Sequence, residues 1–490
     1  MRIRAVLYVL GLLVALNGVF LFLFYLVATW FYPQENQEIP FLMSSGIAFF
    51  VGVLFWFIGQ GSSHEIRFRE GMGIAALGWI VIAFFSALPM YLSGDIPSFT
   101  DAYFESMSGY TTTGASILTN IESLGHTVLL WRSFAHWIGG MGIIVLSLAV
   151  LPALGIGGLQ LYKAEVPGPT PDKLVPRIGQ TARLLYFVYS LLTMLLLVLL
   201  YAGGMNIFEA LCHTWGTLGT GGFSPLNQSI GTYALRNHPN AIYFEYVIII
   251  FMFLAGANFS LHFRFLTGDF KSYFRDSEFK FYLTVILISA ATITLDLMAQ
   301  SKIDDLERTI RSALFASVSI TTTTGYGTED FNAWPTYSRI LLLLLMFMGA
   351  SAGSTAGGMK AVRVMILLKE SFKEVQKTVH PKKVFAIQVG GSVVPREVLK
   401  SMNSFIFIYL LIYVTSVLIL ATTNESLETV ASMVIACLSN IGPGLDKVGP
   451  AANYAFLPDS AKWALSFLML LGRLELFPVL ALLLPRMWKK

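Results

Sequence analysis

The stretch with the clearest chemical signature is a run of hydroxyl residues ending in Gly-Tyr-Gly, at residues 319–328. Glycine tolerates backbone dihedrals that other residues avoid, so such a stretch can turn several carbonyl oxygens toward one axis. A ring of carbonyl oxygens can replace the hydration shell of a potassium ion. One stretch supplies only a quarter of a ring, so this interpretation requires three more.

Three similar stretches are present, at residues 111–116, 219–224 and 438–444. A single Thr-Thr-Gly is a common polar loop with ordinary turn glycines, but four copies favour a filter. Aligning one glycine from each stretch gives four pivot glycines, separated by 108, 103 and 117 residues: Gly114, Gly222, Gly325 and Gly442. We predict that potassium is bound by Thr112, Thr113, Gly114, Thr220, Gly221, Gly222, Thr323, Thr324, Gly325, Asn440, Ile441 and Gly442.

The composition requires a membrane setting for these stretches. The chain is 55% hydrophobic and only 13% charged, whereas about a quarter of a soluble domain is charged. A bilayer is crossed by about 20 apolar residues, which predicts a polytopic protein. The ten predicted spans are 5–31, 41–60, 74–93, 131–152, 183–203, 241–263, 281–299, 337–368, 401–422 and 463–485.

Each filter stretch lies between two of these spans, behind a short half-crossing segment. The predicted fold is therefore an all-α membrane protein with four pseudo-fourfold helix–pore-loop–helix repeats around a central pore. Two extra N-terminal transmembrane helices precede them. The predicted divisions are 1–72 for the two-helix region and 73–165, 166–275, 276–395 and 396–490 for pore repeats 1 to 4.

The segments before the filters read as short pore helices. Thirteen residues before the pivots stand Asp101, Glu209, Ser312 and Thr429. Short polar side chains and acids are favoured at helix starts, where they satisfy free amides and suit the positive dipole end. We expect the negative C-terminal ends of these helices to point at a central cation.

Basic residues concentrate on alternate loops. With both termini inside, the cytoplasmic segments contain 24 of the 33 Lys and Arg residues. This distribution satisfies the positive-inside rule, and predicts a multi-pass protein with both termini cytoplasmic. No Walker motif, dinucleotide fingerprint or Ser/His/Asp grouping stands out, so we expect no enzyme activity and no nucleic-acid partner.

The second span of repeat 3 contains ten small residues at 349–358. Glycines four apart also form the close-packing pattern of membrane helices, so this alternative stays open. Non-helical backbone at this depth is tolerated where it lines a cavity or is buried in protein. We predict a broken helix and a movable gate formed by Gly349, Gly353, Ser354, Thr355, Gly357 and Gly358.

Arg473 is the only basic residue predicted to lie near the middle of the membrane. Charges at this depth face a bundle interior or a watery cavity. Glu475 is two positions away and points to a different face of a helix, so each residue would pair with another helix. The alternatives are a structural ion pair and, as we prefer, an electrostatic constriction beneath the filter.

The four glycine filters, the small-residue segment at 349–358 and the sequence Gly-Arg-Leu-Glu at 472–475 resemble the TrkH/TrkG/KtrB family of potassium transporters over essentially the whole chain. Two extra N-terminal spans make the chain more similar to TrkH or TrkG than to KtrB. The resemblance implies a gate in the loop of repeat 3 and a constriction at Arg473. All four pivots are glycine, which favours potassium over sodium by comparison with related plant transporters.

The resemblance also implies a homodimer with one pore per protomer and a TrkA-type cytosolic regulatory ring. Nucleotide is expected only on that partner, and no cofactor is expected on this chain beyond K⁺ as the transported ion. The lipid bilayer would be a bacterial inner membrane. We therefore expect channel-like, gated potassium uptake; a secondary symporter coupling potassium to protons or sodium is the alternative.

Overall fold

The computed structural model describes residues 1–61, 68–150, 178–300, 305–383 and 385–488. This part of the chain is mostly helical. Its α-helices are, in chain order, α1 (Ile3–Phe31), α2 (Glu38–Gly59), α3 (Phe68–Leu92), α4 (Phe99–Tyr110), α5 (His126–Val150), α6 (Ile178–Ala202), α7 (Ile207–Gly219), α8 (Gly231–Leu235), α9 (Ala241–Gly256), α10 (Phe259–Leu266), α11 (Ser272–Arg275), α12 (Ser277–Ala299), α13 (Leu306–Thr321), α14 (Thr336–Leu345), α15 (Ala361–Val379), α16 (Arg396–Leu420), α17 (Leu427–Leu438), α18 (Asp459–Arg473), α19 (Phe477–Leu482) and α20 (Pro485–Trp488).

Short connecting elements complete the described structure. An antiparallel hairpin, β1 (Gln388–Val389) and β2 (Ser392–Val393), precedes α16 and was not predicted from the sequence. The 3₁₀ turns are Pro33–Glu35, Ile121–Ser123, Phe331–Ala333, Ala421–Thr423 and Asp446–Val448.

The helices α1 and α2 form a close hairpin outside the repeats. A Cβ atom on Gly11 would lie 2.3 Å from the amide nitrogen of Trp56, and one on Gly52 would lie 2.4 Å from that of Ala15. Small residues allow membrane helices to approach this closely. The hairpin packs on α3, so it supports repeat 1 from one side.

All ten predicted spans fall at least partly on described helices. Six of these helices are individually long and apolar enough to cross a membrane, and α9 with α10 qualifies as one bent pair. The six helices are α1, α2, α3, α6, α12 and α16. The span predicted at 131–152 corresponds to α5, and its last two residues lie outside the described residues. The predicted boundary at 165/166 also lies outside them, and the domain divisions stay a prediction.

Each repeat contains a pore helix whose residues are mostly buried. The four pore helices are α4, α7, α13 and α17. Their first amides are capped by the side chains of Ser98, Asn206, Asp305 and Ser426. Such caps satisfy amides that have no partner within the helix.

The predicted helix starts are correct for three repeats and wrong for the third. Asp101, Glu209 and Thr429 each lie three residues after their cap. Ser312 instead lies in the second turn of α13, because Asp305 caps that helix seven residues earlier. Pore helix 3 is therefore 16 residues long, against 12 or 13 in the other repeats.

The second helix of a repeat is broken in three repeats, not only in the third. The predicted break at 349–358 is confirmed, since residues 346–360 separate α14 from α15. The continuous spans predicted at 241–263 and 463–485 are wrong. The pair α9 and α10 bends by 101°, with Asn258 capping α10, and positive φ angles at Glu475 and Leu476 end α18. Hydropathy averages over a window, and the apolar residues on either side of each bend outweigh the few polar ones at it.

Candidate ion filter and gate

The four pivot glycines lie in one ring, where each packs against the loop of the next repeat. A Cβ atom added to any of them would lie within 2.5 Å of a carbonyl oxygen, closer than real Cβ atoms approach. The distances from the added Cβ atom to the carbonyl oxygen are 2.0 Å from Gly114 to Gly221, 2.1 Å from Gly222 to Thr324, 1.9 Å from Gly325 to Ile441 and 2.5 Å from Gly442 to Thr113. The last contact returns to repeat 1, so the ring is closed. Every contact uses the carbonyl of the residue just before a pivot.

The backbone follows the same path in all four loops. The φ angle is 77–94° at each pivot and 51–57° two residues earlier, but it is not positive at the residue between them. Alternating handedness turns successive carbonyls to the same side of a chain, as in potassium-channel filters. The amide before each pivot donates to a pore-helix carbonyl five residues earlier: Thr113 to Ser108 (2.9 Å), Gly221 to Gly216 (2.8 Å), Thr324 to Ser319 (2.9 Å) and Ile441 to Ala436 (2.8 Å).

Side chains at the base of the loops are fully buried and differ between repeats. Asn440 takes the place held by threonine in the other three repeats. Its amide nitrogen donates to the hydroxyl of Thr113 at 3.0 Å and to the carbonyl of Met469 at 2.8 Å. Repeat 4 is thereby joined to repeat 1 and to α18. The hydroxyl of Thr112 and the carbonyl oxygen of the Asn440 side chain have no hydrogen-bond partner within the described structure.

One cavity of about 280 Å³ covers the ring on one side, and we call it the outer cavity because the predicted topology places it outside. All four pivot glycines line it, together with Arg132, Phe223 and Tyr454. The hydroxyl of Tyr454 donates to the carbonyl of Gly442 at 2.7 Å. The site predicted from four distant stretches of sequence is therefore one structural unit with a common vestibule.

Residues 346–360, here called the intramembrane loop, lie against the opposite side of the ring. The amide of Gly357 donates to the hydroxyl of Thr323 at 2.7 Å. A Cβ atom on Gly357 would lie 2.4 Å from the carbonyl oxygen of Ser439. The loop thus contacts the bases of the third and fourth filter stretches directly, and only a residue without a side chain fits there.

Six of the seven predicted gate residues belong to this loop, and the seventh, Arg473, ends α18. A Cβ atom on Gly349 would lie 2.0 Å from the carbonyl oxygen of Gly357, and positive φ angles occur at Gly353 and Gly358. The hydroxyl of Ser354 donates within the loop. The small residues therefore permit a folded-back path, which excludes a continuous close-packed helix at these positions.

A backbone carbonyl of repeat 2 and a carboxylate of repeat 3 hold the loop. The amide of Ser351 donates to the carbonyl of Gly256 at 3.0 Å. One carboxylate oxygen of Glu278, on α12, accepts from the amides of Ala352 at 2.7 Å and Val362 at 3.0 Å. Glu278 is buried and was missed by sequence reasoning, because its partners lie 74 and 84 residues away.

Arg473 lies at the end of α18 and bonds to backbone rather than to a carboxylate. Its guanidinium donates to the carbonyl of Thr355 at 2.7 Å and to that of Gly139 at 3.0 Å. It is buried, and it forms no salt bridge with any residue that the structure describes. Glu475 pairs instead with Arg363, as expected for side chains on different faces. Arg473 therefore joins repeat 4 to the intramembrane loop and to α5.

Two buried histidines lie behind the second filter stretch. His136 accepts from the amide of Phe223 at 3.1 Å and contacts the carbonyl of Gly109 at 2.8 Å. His213 contacts the hydroxyl of Ser224 at 3.1 Å. The sequence did not indicate the buried pair of Glu105 and Arg132 beside them, since the two residues lie 27 positions apart on different helices.

Four pore-helix repeats closed around one ring of glycines define the pore-loop class of membrane proteins, in which backbone carbonyls meet near a common axis. Residues 40–489 match the sequence model of the TrkH family, described as a cation transport protein. The chain belongs to this family, and its members are transporters rather than enzymes.

Similar proteins cover the full chain. The Trk system potassium uptake protein TrkH of Vibrio parahaemolyticus is 38% identical, with 100% of both chains covered. The protein TrkG of Escherichia coli K12 is 35% identical, covering 100% of this chain and 99% of its own. The crystal structure of the potassium transporter TrkH from V. parahaemolyticus superposes with a TM-score of 0.90 at 35% identity, and 100% of each chain is covered.

Proposed function

We propose that this chain, a potassium uptake transporter of the TrkH family, selects its ion at the ring of pivot glycines. The observation that carries the proposal is the closed set of four contacts between each pivot and the carbonyl before the next. The ions would be coordinated by carbonyls at and before the pivots, with added oxygens from residues such as Thr112 and Asn440. Both side chains have a buried oxygen without a hydrogen-bond partner in the described structure.

The pore helices add electrostatic attraction for a cation. Each helix ends three or four residues before its pivot, so its free C-terminal carbonyls lie beside the ring. The C-terminal end of a helix carries about half a negative charge. Four such ends directed at one site favour a dehydrated cation over an anion or a neutral molecule.

The intramembrane loop and Arg473 would form the gate beneath the filter. The loop bonds to the third filter stretch through Gly357 and Thr323. Arg473 bonds to the loop at Thr355 and adds a positive charge to the same region. A cation leaving the filter would meet both a backbone obstruction and electrostatic repulsion, so this arrangement corresponds to a closed pore.

The same proposal includes an orientation and partners. The amino group of Met1 donates to the carbonyl of Met487 at 3.2 Å, which supports termini on one side of the membrane, and the basic loops favour the cytoplasm. We propose a bacterial inner-membrane location and a homodimer with one pore per protomer. A TrkA-type cytosolic ring that binds nucleotide would move the intramembrane loop.

Flux measurements test the proposed function. Purified protein in liposomes is expected to transport K⁺ and Rb⁺ faster than Na⁺ and Li⁺, and a proton gradient alone should not drive accumulation. Equal flux of all four ions in folded protein would refute the filter. Accumulation of K⁺ against its gradient, driven by protons or sodium, would establish the symporter instead.

A further inference from the structure

A charged pair is buried between the first two filter stretches. Glu105 belongs to pore helix α4 and Arg132 to α5, and their side chains are 0% and 1% exposed. The Nε atom of Arg132 donates to Oε1 of Glu105 at 2.8 Å, and a terminal nitrogen lies 2.5 Å from the same oxygen. Replacing such a pair by apolar residues is often neutral or stabilising, so burial here is poorly explained by stability.

Glu105 holds the chain that leaves the first filter. Its two carboxylate oxygens accept from the hydroxyl of Ser116 at 2.9 Å and from the amide of Ile117 at 3.0 Å. Arg132 also donates to the hydroxyl of Ser116, at 3.4 Å. Because Ser116 is two residues after Gly114, these bonds determine where the outer end of the first filter lies.

Arg132 and His136 hold the corresponding part of the second filter. They lie four residues apart on α5 and enclose the ring of Phe223, with the guanidinium carbon 3.9 Å and the imidazole 4.2 Å from its centre. The amide of Phe223 donates to Nε2 of His136. Phe223 directly follows the pivot Gly222, so one face of α5 fixes two neighbouring filters relative to each other.

This charged arrangement occurs in one repeat only. Glu105 lies nine residues before its pivot, and the equivalent positions hold His213, Ala316 and Met433. His213 contacts Ser224, two residues after its own pivot, without a carboxylate. Arg132 lines the outer cavity beside the four pivots, where an unneutralised positive charge would repel an incoming cation.

We propose that Glu105 and Arg132 are positioning residues for ion selection, a role that rests on the proposed filter. Arg132 sets the distance between the first two filters through Ser116 and Phe223. Glu105 holds the same strand and cancels the charge of Arg132 at the outer mouth. The first role governs selectivity, and the second governs the rate at which cations reach the filter.

Three variants separate the two roles. Arg132→Lys keeps the charge but loses the forked hydrogen bonds and the flat stacking surface. Its K⁺/Na⁺ permeability ratio should fall about tenfold or more, the factor expected when one hydrogen bond to a charged group is lost. Glu105→Gln keeps the shape and leaves Arg132 unneutralised, so K⁺ flux should fall and should partly recover when ionic strength screens the charge.

The double variant Glu105→Gln/Arg132→Gln removes both charges. Its K⁺ flux should exceed that of Glu105→Gln, while its selectivity should stay reduced. The matched control is the buried pair of Arg311 and Glu245, 2.7 Å apart, which does not line the outer cavity. Arg311→Lys should leave both the K⁺/Na⁺ ratio and the salt dependence unchanged.

The results distinguish this inference from the proposed filter. If Gly114→Ser reduces the K⁺/Na⁺ ratio but Arg132→Lys leaves it unchanged, the positioning role is refuted and the filter stands. If the K⁺ flux through the double variant is no higher than that through Glu105→Gln, the charge-cancelling role is refuted. If Gly114→Ser is also without effect on the ratio, the filter assignment itself fails. If Arg311→Lys lowers the K⁺/Na⁺ ratio as much as Arg132→Lys does, Glu105 and Arg132 have only a general structural role, and the inference is refuted.

Discussion

Replacing Gly114 by serine should widen the ring and weaken discrimination against sodium. The pivot has a φ of +80°, and a Cβ atom there would lie 2.0 Å from the carbonyl oxygen of Gly221. Ordinary van der Waals contact begins at 3.4 Å. The serine Cβ atom and the carbonyl oxygen of Gly221 must therefore separate by about 1.4 Å if the backbone dihedrals at residue 114 are unchanged. Because Gly114 and Gly221 both belong to filter loops, a shift of either one displaces a carbonyl from the ring.

The magnitude follows from the loss of one well-placed carbonyl. A hydrogen bond or dipole contact to a charged group is worth about 1.5–3 kcal/mol. Since each 1.4 kcal/mol is a factor of ten, we expect the K⁺/Na⁺ permeability ratio to fall about 10- to 100-fold. The left-handed backbone adds strain of roughly 1–2 kcal/mol for a residue with a side chain, which lowers stability but does not distinguish the ions.

Gly94→Ser provides a matched control. Gly94 has the same φ of +80°, and a Cβ atom there would contact nothing within 4 Å. This variant should therefore show the backbone strain without the steric conflict. The assay is the reversal potential of reconstituted protein in mixed K⁺ and Na⁺, with folding checked by gel filtration. An unchanged ratio in folded Gly114→Ser, or an equal loss in Gly94→Ser, would refute the reasoning.

Three further predictions address the gate and the outer face. Arg473→Ala removes two hydrogen bonds to carbonyls and a positive charge, so K⁺ flux should rise about tenfold or more; unchanged or reduced flux in folded protein would contradict this. Glu278→Ala removes the acceptor of the Ala352 amide in the intramembrane loop and of the Val362 amide just after it, so amide exchange across 346–360 should accelerate relative to α12, and equal protection would contradict it. Hydrogen bonds from two hydroxyl groups hold the pKa of Asp446 below its usual value. Its contribution to stability is therefore present above about pH 4 and is lost as the pH falls through the folded pKa. Thermal unfolding temperature, measured as a function of pH, should depend less on acid in Asp446→Asn than in the unmodified protein. Identical pH dependence in the two proteins would refute the assignment.

Features with a local signature were predicted from the sequence. Apolar runs predict spans because a bilayer admits only backbone that is satisfied within the membrane. The pivots could be identified because a positive φ beside a close carbonyl strongly favours glycine over residues with a side chain, and glycine recurs four times at similar intervals. The break at 349–358 was visible for the same reason, since small residues stood where a span was expected.

Local rules gave incomplete answers where a helix end depends on distant packing. The bend after Gly256 lies between two helices that together are apolar enough to cross a membrane, so hydropathy does not report it. The start of pore helix 3 was misplaced because Ser312 and Asp305 are both good capping residues, and only the fold shows which one caps. In these segments several local structures are compatible with the sequence, and tertiary contacts decide among them.

The amino-acid sequence by itself determined the membrane class, the fourfold repetition and the four glycine stretches that meet in one ring. Only the tertiary structure decided which charges meet. Glu105 and Arg132, Glu278 and the loop amides, and Arg473 with its carbonyl 334 positions away are joined by folding alone. The physical reason is that a carbonyl ring requires particular dihedrals along each chain segment, whereas a buried charge requires any suitable partner that folding brings within hydrogen-bond distance.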